Sequence, residues 1–164
     1  MPQAGSKDKL KELIVYISNQ CASDPSYGIT KLNKILFFAD FLYYVKKGKS
    51  ISGQEYIHLD HGPIPDEMKD AREEMDRKDI AISVEQSGPF TQHKIVPLRE
   101  ADLSAFEPDM IAFLDSIIVD VCIKKTIRAK WLSDFSHEFL GWMVTEKQEK
   151  IPYTTAFIKN RKQQ

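Results

Sequence analysis

The segment ILFFADFLYYV, residues 35–45, constrains the fold more than any other part of this 164-residue sequence. Apolar residues recur in and around it at helical spacing, which predicts a helix over 30–46. Aromatic side chains then widen the apolar stripe until the helix is apolar almost all round. A helix with so little polar surface must lie at the centre of a domain or beneath a partner protein.

Two charged residues, Lys34 and Asp40, interrupt this apolar helix. They are six positions apart, so they are not neighbours on one helix face and do not pair with each other. A charged side chain near a core must find a partner or extend to water. We therefore expect each of them to meet a partner from elsewhere in the fold.

The remaining pattern predicts a mainly α fold of the α+β class, a compact helical domain with a small antiparallel sheet of two to three short strands. The predicted elements are helices over 7–22, 65–78 and 108–125 and strands over 55–60, 80–84 and 94–98. One or two shorter helices are predicted over 126–142, and a short helix from Pro152 opens a basic tail, 151–164. The chain length fits a single domain over 1–164.

Composition gives no indication of a membrane or nucleic-acid partner. The formal net charge is −1 and 29 % of residues are charged, which is ordinary for a water-soluble protein. No run of 18 apolar residues occurs, and the first residues lack the apolar core of a signal peptide. The expected location is the cytoplasm. A short basic patch is interpreted as a solvated helix end; it comprises Lys124, Lys125, Arg128 and Lys130.

The two cysteines, Cys21 and Cys122, each fall in an apolar helical pattern. This favours buried free thiols and gives no support for a disulfide framework. A catalytic pair of Cys122 with His137 is conceivable, but Cys122 lies on an apolar stripe where thiols are usually inert.

The segment YIHLDHGPIPDEM, residues 56–68, contains the densest set of metal-ligand side chains. His58, Asp60 and His61 lie within four residues, but a zinc site needs a third or fourth ligand from elsewhere, for example His93 or His137. The alternative is a strand with a solvated edge, followed by a rigid Gly-Pro turn and a helix that starts at about residue 65. The spacing matches no standard zinc signature and favours this second interpretation.

The aromatic run also has two interpretations. Most of its side chains are expected to fill the core. Alternatively, Phe38, Phe41 and Tyr44 form an exposed apolar patch, which would mark an interface with another protein.

Two blocks of this sequence resemble the Panacea domain, the SocA-like antitoxin family, which is phage-associated and occurs in toxin–antitoxin operons. The first block covers residues 29–68 and the second is WLSDFSHEFLGW, residues 131–142. The matching positions are Leu32, Lys34, Phe38, Asp40, Gly48, Gly62 and Pro63, then Leu132, Ser133, Ser136, His137 and Trp142. The resemblance covers about residues 8–145. His61 departs from the bulky apolar surroundings that the family has before Gly-Pro, which argues against a shared metal role.

The resemblance implies an antitoxin without enzymatic activity or cofactor, whose partner is a toxin protein encoded nearby. We expect toxin-binding side chains at Phe38, Phe41, Tyr44, Tyr56, His58, Asp60, His61 and Trp142. We expect structural roles for the family-motif residues Lys34, Asp40, Gly62, Pro63, Ser136 and His137, with the His137 ring bonded to the Gly62–Pro63 loop. Two alternatives are an adaptor that delivers a toxin to a protease and a metal-dependent hydrolase using His58, Asp60, His61 and His137.

Overall fold

The computed structural model describes residues 5–124 and 140–157. Its helices are α1 (Ser6–Gln20), α2 (Ile29–Lys47), α3 (Met68–Met75), α4 (Pro108–Ile118) and α5 (Leu140–Val144). Its strands are β1 (Tyr56–Leu59), β2 (Gly62–Pro65), β3 (Ile80–Ser87) and β4 (Phe90–Pro97). A π-helical turn, Val119–Ile123, continues α4, and a 3-10 helix, Tyr153–Phe157, follows α5. These elements confirm the predicted mainly α, α+β fold class.

Helix α2 lies at the centre of the hydrophobic core, as its sequence predicts. Side chains on opposite sides of the helix, such as Leu32 and Phe37, are both at most 1 % exposed. The helix packs against β2, α4 and the 3-10 helix, so it is covered on several sides. Most of its apolar side chains are therefore buried within the chain itself, and the exposed positions lie mainly at its ends, at Thr30 and at Val45–Lys47.

The strands form two separate antiparallel hairpins rather than one sheet. Strand β1 pairs with β2, and β3 pairs with β4. The other edge of β1 is occupied by the C-terminal segment, through backbone hydrogen bonds from His58 N to Glu149 O (2.9 Å) and from Ile151 N to Tyr56 O (2.9 Å). The expectation that 55–60 joins the later strands in one sheet was therefore wrong, because both edges of β1 already have partners.

The helix predicted from Pro65 starts three residues later, at Met68. Pro65 pairs instead with Tyr56, and Pro63 pairs with His58, so both prolines belong to β2. Proline has no N–H to donate to a sheet and is confined to edge strands, which is the position of β2. The prediction of a rigid turn at Gly62–Pro65 was therefore wrong, since these residues form β2 and the turn is Asp60-His61, and the start of α3 was misplaced as well.

Asp40 is fully buried and connects α2 to the loop that precedes β1. Its Oδ1 accepts hydrogen bonds from the backbone N–H groups of Ile51 (2.9 Å) and Ser52 (2.8 Å). Its Oδ2 accepts from the hydroxyls of Ser52 (2.5 Å) and Tyr56 (2.6 Å). Burial raises the pKa of the Asp40 carboxyl, and the four donors oppose that shift without reversing it. The network fixes the loop and places Tyr56 at the start of β1.

Gly28, which precedes α2, lies directly against β4. A Cβ atom at this position would be 2.7 Å from the backbone oxygen of His93. The contact is held by Gln92, whose amide donates to the carbonyl oxygens of Pro25 and Tyr27, each at 3.2 Å. The second hairpin is thus docked onto the α1–α2 loop by a backbone approach that has no room for a side chain.

We predict that Asp40→Ala lowers the free energy of unfolding by about 3–5 kcal/mol, because it leaves buried donors without an acceptor. Asp40→Asn should cost less, about 1–2 kcal/mol, since its oxygen can keep the two backbone donors and its amide can donate to the two hydroxyls. Urea unfolding followed by circular dichroism measures both. Asp109→Ala is the control, because that side chain is 75 % exposed. Equal losses for Asp40→Ala and the control would refute a structural role for the network.

We predict that Gly28→Ala lowers the free energy of unfolding by about 1–3 kcal/mol, because the added methyl group forces β4 away from the α1–α2 loop. The same urea titration measures the change. Thr30→Ala, two residues further on at an exposed position, should leave the midpoint unchanged. A fully stable Gly28→Ala protein would show that the second hairpin can shift without cost.

Candidate functional site

The β1–β2 hairpin ends in a two-residue turn, Asp60-His61, whose side chains are both exposed. Gly62 follows with φ +130°, a backbone conformation that side-chain-bearing residues rarely adopt, and this lets the chain enter β2. Pro63 is buried next to it. The family-motif pair Gly62-Pro63 therefore shapes the turn and presents Asp60 and His61 to solvent.

Behind this turn, His58 lies flat against Trp142 of α5. The two ring centroids are 3.4 Å apart and the planes differ by 13°. The Thr145 hydroxyl donates to the Gly141 carbonyl (2.6 Å), so the 2.9 Å contact between Thr145 Oγ1 and His58 Nδ1 places the hydrogen on Nδ1. Both half-buried rings are thereby held in fixed orientations where the hairpin meets α5.

We define the hairpin-tip surface as His58, Asp60, His61, Trp142, Met143 and Val144. Its apolar part is exposed, since Met143 and Val144 are 58 % and 61 % accessible to solvent. Its polar rim includes the ion pair of Asp60 Oδ2 with Lys147 Nζ at 2.9 Å. The hydrogen bond from Lys147 lowers the pKa of Asp60. Exposed apolar side chains together with charged groups are typical of protein-binding surfaces.

Two of the candidate metal-ligand side chains, His58 and Asp60, have other contacts. His58 is engaged by Trp142 and Thr145, and Asp60 pairs with Lys147. His93 lies on β4 in the other hairpin, where it lines a cavity of about 360 Å³ beside the start of α2. Within residues 5–124 and 140–157, no three His, Cys, Asp or Glu side chains are grouped so that they could hold a metal ion.

Three of the expected toxin-binding aromatic residues are core residues in this fold. Phe38 and Phe41 are 2 % exposed and Tyr56 is fully buried. The expectation of an accessible surface is therefore corrected for these three. The C-terminal segment covers two of them, since the Tyr153 ring centroid lies 4.4 Å from that of Phe41 and 6.3 Å from that of Tyr56. Tyr44 is half-buried and lies against Tyr153 and Phe157 at the edge of this cover.

The cover formed by the C-terminal segment was not predicted as part of the site. Tyr153 donates its hydroxyl hydrogen to Gln54 O (2.5 Å), and Ile151 is 3 % exposed. The sequence contained one signal for this cover, the apolar residues Ile151 and Tyr153 on either side of Pro152. The basic residues around them led instead to the interpretation of this segment as a tail.

Some sequence predictions fall on residues outside the described part of the chain. They are the family-motif residues Ser136 and His137, three basic-patch residues (Lys125, Arg128 and Lys130) and most of the helices predicted over 126–142. Lys34, the remaining motif residue, is half-buried on α2. No helix in residues 5–124 and 140–157 has the length and apolarity needed to cross a membrane.

Comparison with known proteins gives a family and no individual relative. Neither a curated protein nor a solved structure matches this chain. The family described as "Antitoxin SocA-like, Panacea domain" matches residues 32–143. This range starts in α2 and ends in α5, and it includes Asp40, Gly62, Pro63 and Trp142. Since it covers well over half of the sequence, this protein belongs to the SocA-like antitoxin family and contains its Panacea domain.

Proposed function

We propose that this protein is an antitoxin that neutralises a toxin protein by direct binding through the hairpin-tip surface. The observation that carries the proposal is the family match over residues 32–143. The choice of location is supported by α5, in which the exposed Met143 follows Trp142, whose ring stacks on His58 of the hairpin. Binding there would block the toxin by covering its active site or substrate groove.

The composition of the hairpin-tip surface suits a tight protein complex. Nanomolar binding corresponds to about −12 kcal/mol, and interfaces of about 800 Å² per partner reach it when a few anchors are well packed. Tryptophan is the residue type most enriched among such anchors. Trp142 is already held by His58, so little side-chain freedom is lost when a partner packs onto it.

We also propose that the protein acts stoichiometrically rather than as an enzyme. The polar side chains around the tip are used for structure: His58 bonds to Thr145, and Asp60 pairs with Lys147. Asp40, the fully buried carboxyl, has its four hydrogen bonds within the fold. This arrangement supports rigid presentation of a surface, whereas catalysis requires groups that converge on a reacting atom.

The direct test is co-expression with the protein encoded by the adjacent reading frame. We expect that this neighbour arrests growth when expressed alone, that growth returns when both are expressed, and that the two proteins co-purify. A harmless neighbour that does not co-purify would contradict the proposal. Restored growth with loss of the neighbour only in cells that contain a protease would instead identify an adaptor.

We predict that Val144→Glu weakens the complex about 10–30-fold, because it places an unpaired carboxylate at the apolar centre of the interface. Titration calorimetry against the co-purified partner measures the change in affinity. Val84→Glu is the matched control, since Val84 is 60 % exposed on β3 in the other hairpin and Val144 is 61 % exposed. If both variants bind equally well, the hairpin-tip surface does not contact the partner.

We predict that Trp142→Ala weakens the complex at least tenfold while the domain remains folded, because the largest anchor is removed. Thermal unfolding of the free variant, followed by circular dichroism, accompanies the binding measurement. Trp142→Phe keeps a ring on His58 and should recover part of the affinity. A variant that binds normally would exclude Trp142 from the interface.

A further inference from the structure

The two cysteine side chains meet in the core although they are 101 positions apart in sequence. Cys21 Sγ and Cys122 Sγ are 2.7 Å apart. Cys21 ends α1, and Cys122 lies in the π-helical turn that continues α4. A disulfide bond is about 2.05 Å long, so the sulfur atoms need to approach by only about 0.65 Å to form one.

The backbone on both sides of the pair is firmly held. The Cys21 N–H donates to the carbonyl oxygen of Ile17 at 2.9 Å, which closes the last turn of α1. Cys21 and Cys122 are 1 % and 5 % exposed. π-Helical turns such as Val119–Ile123 are rare and occur frequently at functional sites. The sulfur atoms are therefore brought together by packed secondary structure rather than by a loose loop.

A small oxidant has a path towards this pair. Cys21 borders a cavity of about 290 Å³ between the end of α1 and strand β4. Ala22, Ser23 and Pro25 line the same cavity and are exposed, so the cavity opens at the protein surface. This volume accommodates a molecule the size of a peroxide.

The contact between the sulfur atoms also shifts the pKa values of the two thiols in opposite directions. Cys21 donates its hydrogen to Cys122, which lowers the pKa of Cys122. The same hydrogen bond and then burial raise the pKa of Cys21. A lowered pKa favours the nucleophilic form of a thiol, so Cys122 is the sulfur that an oxidant attacks first.

We propose that Cys21 and Cys122 form a reversible intrachain disulfide when the folded protein meets a hydroperoxide. The two thiols supply two electrons, the O–O bond of hydrogen peroxide breaks, and one S–S bond forms. Both thiol protons leave with the peroxide oxygens as two water molecules. A dithiol reductant reverses the reaction by thiol–disulfide exchange. The bond ties the end of α1 to the end of α4.

The test uses the whole purified chain, reduced and then treated with hydrogen peroxide at one molar equivalent and in excess. We expect the intact mass to fall by two hydrogen atoms and free thiols to fall from two to none. A non-reducing peptide map should contain the Cys21–Cys122 pair, and dithiothreitol should restore both thiols. Because the bond closes a long loop, the melting temperature should rise by about 5–15 °C.

Two variants control this experiment. Cys21→Ser and Cys122→Ser should each keep the melting temperature unchanged on peroxide treatment and show no loss of two hydrogen atoms. The wild-type mass alone decides the proposal if either variant folds poorly. Addition of oxygen without the cross-link, disulfide-linked dimers, or an oxidised form that melts below the reduced form would each overturn it.

Discussion

The buried carboxylate of Asp40 is the interaction on which the rest of the structure depends. By binding the backbone of Ile51 and Ser52, it stops the chain after α2 from moving freely and sets the position of Tyr56. Tyr56 begins β1, and β1 is the strand to which both β2 and the C-terminal segment attach. Without that anchor, neither the exposed turn nor the position of α5 behind it would be defined.

The free energies involved explain why burial of the Asp40 carboxylate adds little stability and yet selects one conformation of the loop. Burial of a carboxylate costs several kcal/mol, and each hydrogen bond to it returns about 1.5–3 kcal/mol. Four donors roughly offset the cost, so the network contributes little net stability in the native loop conformation. In a buried conformation that lacks these donors, the cost of burying the carboxylate is not offset. The carboxylate therefore selects one loop structure, and aromatic packing of Phe41 against Tyr56 and Tyr153 supplies the free energy that holds it.

Local patterns in the sequence identified helices α1 to α4, apart from the start of α3, and did not identify long-range partners. The helix predicted over 30–46 is found at Ile29–Lys47. A segment that is apolar almost all round and has helical spacing is accommodated as a buried helix. The need of Asp40 for a partner was predicted, but no local pattern indicates that Ser52, in a loop, and Tyr56, at the start of β1, are those partners. The same limit applies to Cys21 and Cys122: each was predicted to be buried, which is confirmed, but helical periodicity says nothing about which buried residues meet. At the candidate site, the exposure of Asp60 and His61 agrees with the predicted solvated edge, but the turn was predicted at Gly62–Pro65, which forms β2. Three aromatic residues, Phe38, Phe41 and Tyr56, were assigned to a surface although they are buried.

The core and the hairpin-tip surface use different residues, so a member of this family can change its partner without changing its core. The Asp60–Lys147 ion pair lies between side chains that are 64 % and 59 % exposed, and pairs of this kind contribute little to stability. Substitutions there, or at His61, leave Asp40 and the aromatic core untouched. Trp142 is different, because it contacts both the solvent and His58. We therefore expect binding energy to depend mainly on Trp142 and its apolar neighbours, and specificity to depend on charged rim residues that the fold does not constrain.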